Sequence, residues 1–301
     1  VEMYKVAVLL SAYNGEKYIE EQIHSIFNQE DCQIFLYVRD DGSIDKTTEI
    51  LEKLQKLYDL NIIRGKNVGW KKSFFDLLYM VPNEYDYYAF SDQDDVWKPQ
   101  KLIRAIVKME NTDEPCLYCS AQIFVDEKLN FLNMDIHKHP LNSRQAMTNI
   151  SSRGCCEVFN QRLLKILQKE RVNVNFSHDR WVARVAIYTG KIVLDDESYI
   201  LYRQHSNNSS GNNYHPSIRN RIKNLLSNYR KHDFYFWYAM ELLNNYSEFI
   251  NEEDKIWLNK LIKSKRNFIN KFELLFSKDF VSETIKGTFV LKFIMMFGMY
   301  Q

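Results

Sequence analysis

Apolar positions along the first two-thirds of the chain follow two alternating rhythms. Val6-Ala7-Val8-Leu9-Leu10 is a continuous apolar run, the pattern of a strand buried on both faces of a parallel sheet. Ile19, Ile23, Ile26 and Phe27 then recur at helical spacing. The alternation continues with a strand over 34–38, helical positions at Ile50, Leu54 and Leu57, and a short strand over 61–64. A helix carrying Phe74, Leu77 and Leu78 and a strand over 87–90 complete the series. Strand and helix alternating at this spacing predict βαβ units and an α/β fold, a doubly wound, Rossmann-like and mostly parallel sheet. After Pro99 the pattern predicts a helix (Leu102, Ile103, Ile106, Met109), a strand over 117–125, and a looser loop-bearing stretch over 126–153. A helix through Leu163, Leu164 and Leu167 follows, and another begins at Ser177-His178-Asp179-Arg180-Trp181. Two separate β-rich runs, 191–194 and 198–202, lead into a polar loop over 203–211.

The rhythm changes near residue 214, which divides the chain into an α/β domain over 1–213 and a helical C-terminal region over 214–301. In the latter, residues 218–292 hold 14 Lys/Arg against 9 Asp/Glu, a basic surplus. Thr288 to Tyr300 is apolar except for Lys292, too short to span a bilayer. It either lies in a membrane interface or packs as a helical appendage.

A net charge of +1 over 301 residues excludes a global field that would draw the chain to nucleic acid. The five cysteines, including Cys116-x-x-Cys119 and the adjacent Cys155-Cys156, lack a second pair or nearby histidines to complete a zinc site. Reduced, buried thiols in a reducing compartment are expected. No secretory leader is visible and no stretch reaches the length of a membrane span, so a cytoplasmic location is expected.

The polar sets 11–16, 39–43, 64–71 and 91–97 each follow a strand of the parallel series. Ligands bind such sheets beyond the carboxyl ends of the strands, so these sets are expected to converge on one site. The most telling is Ser91-Asp92-Gln93-Asp94-Asp95-Val96-Trp97. Three carboxylates within four residues repel one another, and each costs free energy if desolvated without a counter-charge. A divalent cation removes that cost, and Asp-x-Asp offers it two hard oxygens. An EF-hand is excluded, because Val96 and Trp97 stand where a ligand and a glycine belong. Taken alone, an Asp-x-Asp reads first as a solvated acidic turn.

With these motifs in order, the chain resembles glycosyltransferase family 2, the inverting nucleotide-sugar transferases of the GT-A fold, over roughly residues 5–210. Asp92-Gln93-Asp94-Asp95-Val96-Trp97 and Tyr202-Arg203-Gln204-His205, with Asn207 and Asn208, look most like bacterial rhamnosyltransferases that build cell-surface polysaccharides. The resemblance implies a donor site formed by Ser11, Ala12, Tyr13 and Glu16, with Asp40 accepting the imide N–H of uracil or thymine and Asp41 orienting its neighbours. An Asx-turn before Gly42 is the alternative for that pair. Arg64, Asn67 and Lys71 are expected near the diphosphate, although surface solvation explains them too. Asp92, with Gln93, would face the ribose or sugar. Asp94 and His205 would hold Mn2+ or Mg2+, the imidazole favouring Mn2+. Asp179 matches the catalytic base, and a helix N-cap is its structural alternative. Trp97, Gly154, Trp181 and Arg203 are assigned to the acceptor side; both tryptophans also read as core.

The implied reaction is metal-dependent transfer of a deoxyhexose, L-rhamnose from dTDP-rhamnose, to a glycan or lipid-linked glycan acceptor. A UDP-hexose donor is the close alternative. A non-catalytic nucleotide-sugar-binding protein of the same fold is the alternative from another class. A nucleotide-sugar pyrophosphorylase would need a Gly-rich basic loop after the first strand, and 11–16 has none. Peripheral contact with the inner face of the cell membrane, through the C-terminal region, completes the expected partners.

Overall fold

The computed structural model describes residues 3–110, 112–136, 142–150, 152–172, 176–205, 233–282 and 284–297. The chain divides into two compact units, one of residues 1–137, 152–186 and 190–205, the other of 138–151, 187–189 and 206–301.

The first unit is built on a nine-stranded sheet. Its parallel half comprises β1 (Tyr4–Ala12), β2 (Cys32–Asp40), β3 (Leu60–Arg64) and β4 (Tyr87–Ser91). These alternate with α1 (Ile19–Phe27), α2 (Thr47–Leu54) and α3 (Trp70–Met80). β1 lies between β2 and β4, parallel to both, which explains why Val6 to Leu10 are apolar without interruption and fully buried. Helix α2 stops at Leu54, short of the periodic reading, and Leu57 in the following turn is exposed.

The other half is mixed. After β5 (Val96–Trp97) and α4 (Lys101–Met109) come β6 (Cys116–Val125) and β7 (Phe131–Asp135). β8 (Glu157–Asn160), α6 (Gln161–Leu167), α7 (His178–Thr189) and β9 (Lys191–Arg203) follow. Strand order is β3-β2-β1-β4-β8-β6-β9-β5, with β7 pairing β6 at the side. The two β-rich runs expected at 191–202 are one thirteen-residue strand, β9. Asp195 stays in the ladder opposite Ser120, accepting from Tyr118 at 2.8 Å and pairing with Lys108 at 3.0 Å, and the register then shifts past Asp196 and Glu197 so that Ser198 faces Ala121. The stretch read as a loop likewise holds β7 and α5 (Ser143–Asn149).

The second unit is helical: α5, then α8 (Asp233–Tyr246), α9 (Glu252–Lys263), α10 (Phe268–Phe276) and α11 (Ile285–Phe297). Asparagine caps recur in both units. Asn142, Asn160, Asn251 and Asn267 each accept the backbone N–H three residues on, at 2.9–3.1 Å. Each such cap contributes about 1 kcal/mol. Ser143 and Arg144 tie α5 to α9 through Asp254 and Glu253. All five cysteines are buried and free. Among the described residues no helix is long and apolar enough to cross a membrane.

Candidate active site

The four polar loops leave the carboxyl ends of four parallel strands, and they are stitched together there. Gln93 uses both ends of its amide on Tyr13, accepting its N–H at 2.8 Å and donating to its carbonyl at 3.0 Å. Asn14 receives the N–H of Ile44, and Glu16 that of Lys46, at 2.9 and 3.0 Å. The Asp41 carboxylate accepts from Val68 and Gly69 N–H groups at 2.9 Å each and pairs with the buried Arg39. Gly42, at φ +81°, is where the second loop passes the third: a Cβ there would lie 3.0 Å from Asn67 N. Tyr13 is left 44% exposed, an aromatic face beside the loop cluster.

Several expected site residues are spent on this stitching. Asp41 is buried and orients backbone. Asp40 is also buried, and both its oxygens are engaged, by Ser43 N–H at 3.0 Å and Thr48 hydroxyl at 2.8 Å. Its bond to Ser43, three residues on, is a loop contact one residue longer than the Asx-turn expected before Gly42. Gln93 holds the Tyr13 turn. Ser11 shares a 2.6 Å hydrogen bond with Ser73, Ala12 is buried, and Lys71 lies against the Trp70 ring. Asn67 accepts from Gly69 N–H at 3.1 Å. Arg64, more than half exposed, forms an ion pair with Glu52.

The acidic loop is closed by a two-residue ladder. Val96 and Trp97 pair with Leu201 and Ile200, which returns the end of β9 to the residues just before β5. There Arg203 donates its backbone N–H to Asp95 Oδ1 at 3.1 Å and its Nε to the Asp94 carbonyl at 2.9 Å. Its guanidinium also reaches the Glu127 carbonyl at 2.7 Å and sits 4.5 Å over the Tyr18 ring. Arg203 is therefore a buried strut under the loop and not an acceptor-facing group. Two residues on, His205 Nε2 meets Asp94 Oδ2 at 2.8 Å, with the imidazole against Tyr18 at 5.1 Å. Asn207 and Asn208 lie outside the described residues.

Asp92, Asp95 and Cys155 each bring one donor atom within 4.8 Å of the others. Burial, Asp94 and Asp179 push the Asp92 carboxyl up to about 7. Asp95 is raised well above the ordinary range by burial and by Asp94 and Asp92, and its Oδ2 has no hydrogen-bond partner among the described residues. So much negative charge in a sparsely solvated loop fits a divalent cation, since Asp92 and Asp94 offer hard oxygens and His205 a nitrogen. A second buried basic side chain near the loop, Lys101, lies 3.9 Å over the Trp97 ring, its amine without a hydrogen-bond partner among the described residues and its pKa lowered by burial. It is a poor substitute for an ion at the carboxylates.

Asp179 enters from the first turn of α7. Ser177 makes no side-chain cap, and Asp179 Oδ1 accepts from Arg180 N–H at 2.7 Å. Its charge is felt at both Asp92 and the buried Glu157, whose pKa is raised well above the usual carboxyl range, chiefly by desolvation. The structure thus brings the expected base to the acidic loop. Beside it His178 stacks on Phe74 at 3.9 Å, and a Cβ at Gly154 would meet its Nε2 at 2.3 Å. Gly154 is required there for close packing. Trp181 and Trp97 are 0% and 2% exposed, so both expected acceptor-side tryptophans are core residues.

His178 also carries a stability prediction. Burial holds its imidazole neutral, with the pKa lowered to about 4, and neither ring nitrogen has a hydrogen-bond partner among the described residues. An unfolded histidine titrates near pH 6.5, so the unfolded chain takes up this proton first as pH falls. Stability is complete above pH 6.5 and lost between there and 4. Between pH 7.5 and 5.0 the wild type is expected to lose about 2 kcal/mol more than His178→Asn, read by urea unfolding. Parallel curves for the two proteins would contradict the neutral assignment.

Sequence reasoning missed Gln22, Arg39, Lys101 and Glu157, all buried. With its amide oriented so that oxygen faces the Trp97 indole N–H, Gln22 bridges Ser91 and the Asp95 carbonyl, supporting the acidic loop from below. Gln22 and Lys101 do fall on the apolar stripes of α1 and α4, a signal that could have found them.

The family model described as glycosyl transferase family 2 matches residues 7–169. A dTDP-rhamnosyl transferase, RfbG of Shigella flexneri, is 31% identical over 244 residues, 74% of this chain and 81% of that one. The structure of S. aureus TarS 1–349 in complex with UDP-GlcNAc superposes with a TM-score of 0.60 at 19% identity, covering 91% of this chain and 77% of that one. A mannosyltransferase from Pyrobaculum calidifontis, in complex with GDP-Man and Mn2+, superposes with a TM-score of 0.53 at 14% identity, over 90% and 72% of the two chains.

Proposed function

The chain belongs to glycosyltransferase family 2, and on that premise we propose that it moves L-rhamnose from dTDP-β-L-rhamnose, with inversion, to a hydroxyl of a bacterial cell-surface polysaccharide precursor. It is a nucleotide-sugar-dependent enzyme of the GT-A fold. The rhamnosyl reading is carried by the similarity to the Shigella dTDP-rhamnosyl transferase over most of both chains. The donor's base would lie over the loop after β1, against Tyr13, with its imide N–H toward a lone pair of Asp40 that Ser43 and Thr48 leave open. Asp92 takes the ribose or sugar, and Lys71 and Asn67 the diphosphate side. Asp94 and His205 would hold Mn2+ or Mg2+. Such an ion, when bound, offsets charge on the diphosphate.

Asp179 does the proton work. The acceptor hydroxyl gives its proton to an Asp179 carboxylate oxygen while its own oxygen forms the new bond to C1. The bond from C1 to the diphosphate oxygen breaks, its electron pair leaving with the nucleoside diphosphate on the opposite face of the ring. The reaction is placed at the cytoplasmic side, where nucleotide sugars are available to it.

A second reading, a UDP-hexose donor, is favoured by the TarS complex with UDP-GlcNAc. Uracil and thymine present the same imide donor to Asp40. Release of nucleoside diphosphate, with and without chelator, separates the two. Turnover of dTDP-rhamnose at least tenfold above UDP-sugars, abolished by EDTA, is expected. The reverse preference would replace the donor, and no release from any donor would point to a binding protein.

A further inference from the structure

Two successive helices of the second unit, α10 and α11, turn large apolar side chains outward. On α10, Phe268, Phe272 and Phe276 recur at four-residue spacing and are 78%, 52% and 73% exposed, with Ile269 beside them. The opposite side of the helix buries Leu274. On α11, Ile285, Phe289, Phe293 and Met296 form the outer stripe, 49–79% exposed, while Leu291, Ile294 and Met295 are buried. The two helices pack on each other. A helix apolar on its inner and outer sides alike is normally covered on both.

The setting of this face selects its cover. Residues 263–292 hold seven Lys/Arg against three Asp/Glu, and Lys263, Lys265, Arg266, Lys278 and Lys286 are all exposed. Protein interfaces enrich aromatic residues, methionine and arginine but deplete lysine. Here the patch is phenylalanine, isoleucine and methionine within a lysine fringe. Two copies facing each other would oppose like charges. Helix α11 has 13 residues, so at about 1.5 Å per residue it cannot span a bilayer but can lie along one.

We propose that the outer face of α10 and α11 docks in the plane of a bilayer rich in anionic lipid. Phe268, Phe272, Phe276, Phe289 and Phe293 enter the boundary between headgroups and acyl chains, and the lysines meet headgroup phosphates. This goes beyond the transfer reaction, and since docking needs neither donor nor acceptor its test stands apart from turnover.

The test is co-sedimentation of the full chain with vesicles of phosphatidylcholine alone or mixed with phosphatidylglycerol. Partitioning should be roughly tenfold or more stronger on the anionic vesicles and should fall as salt rises. The joint replacement Phe272→Ser, Phe276→Ser, Phe289→Ser and Phe293→Ser should abolish it with the thermal midpoint unchanged. If that variant misfolds, Arg266→Glu with Lys286→Glu serves, and it should remove the anionic preference. Equal binding to both vesicle types, or charge-reversed protein that still prefers phosphatidylglycerol, overturns the proposal. So do concentration-dependent dimers in sedimentation velocity that the same serine changes dissolve, because a second copy would then cover the face.

Discussion

Asp179→Asn is expected to lower transfer at least 100-fold while donor affinity stays within about threefold. Asparagine matches the shape of aspartate and keeps an oxygen to accept from Arg180 N–H. What it loses is the capacity to take a proton from the acceptor. The replacement also removes a charge that destabilises ionised Asp92 and Glu157, so the folded protein should be as stable as wild type or more so. That combination separates a catalytic base from a helix-terminal residue. If Asp179 acted through the α7 N-terminus, stability would fall and turnover would persist. Steady-state rates, donor titration calorimetry and thermal unfolding on one preparation read all three quantities, and retained turnover refutes the assignment.

The second large effect belongs to the pair at the end of β9. Asp94→Asn is expected to cost on the order of 100-fold in turnover, with a corresponding rise in the metal concentration giving half-maximal rate. His205→Ala should show a smaller loss that excess Mn2+ partly recovers. Neither change touches the supports of the loop. Arg203 holds the Asp94 carbonyl and the Asp95 carboxylate, and Gln22 sits beneath. The thermal midpoint should therefore move little. Metal titrations of rate for the two variants check this. A rate loss with an unchanged metal requirement would show that the His205–Asp94 hydrogen bond matters only as a fixed contact.

The parallel half of the sheet and the convergence of its loops were legible because burial on both faces leaves no polar position between Val6 and Leu10 of β1 and few in β4. The mixed half was not. β5 is two residues long, and β9 carries Asp195, Asp196 and Glu197, whose polarity reads as a turn until Tyr118 and Lys108 account for Asp195. Asp94 and His205 were foreseen together through family resemblance; their contact depends on the β5–β9 ladder, which no local pattern announces. The misreadings share one cause. Arg203 and the two tryptophans have chemistry suited to sugars or phosphates, but residue type does not reveal whether a side chain is already engaged. Asp40, Asp41 and Gln93 have the same ambiguity, since the polar atoms that suit a ligand equally suit a neighbouring loop.

The arrangement at the carboxyl ends of the strands is tested most directly by a crystal structure with dTDP-rhamnose and Mn2+ bound. Asp94 and His205 should contact the ion at about 2.0–2.3 Å, the ion should touch diphosphate oxygens, and the Asp179 carboxylate should face C1 from the side away from the diphosphate. A diphosphate bound away from residues 92–94, or Asp179 turned out of the cleft, would contradict it.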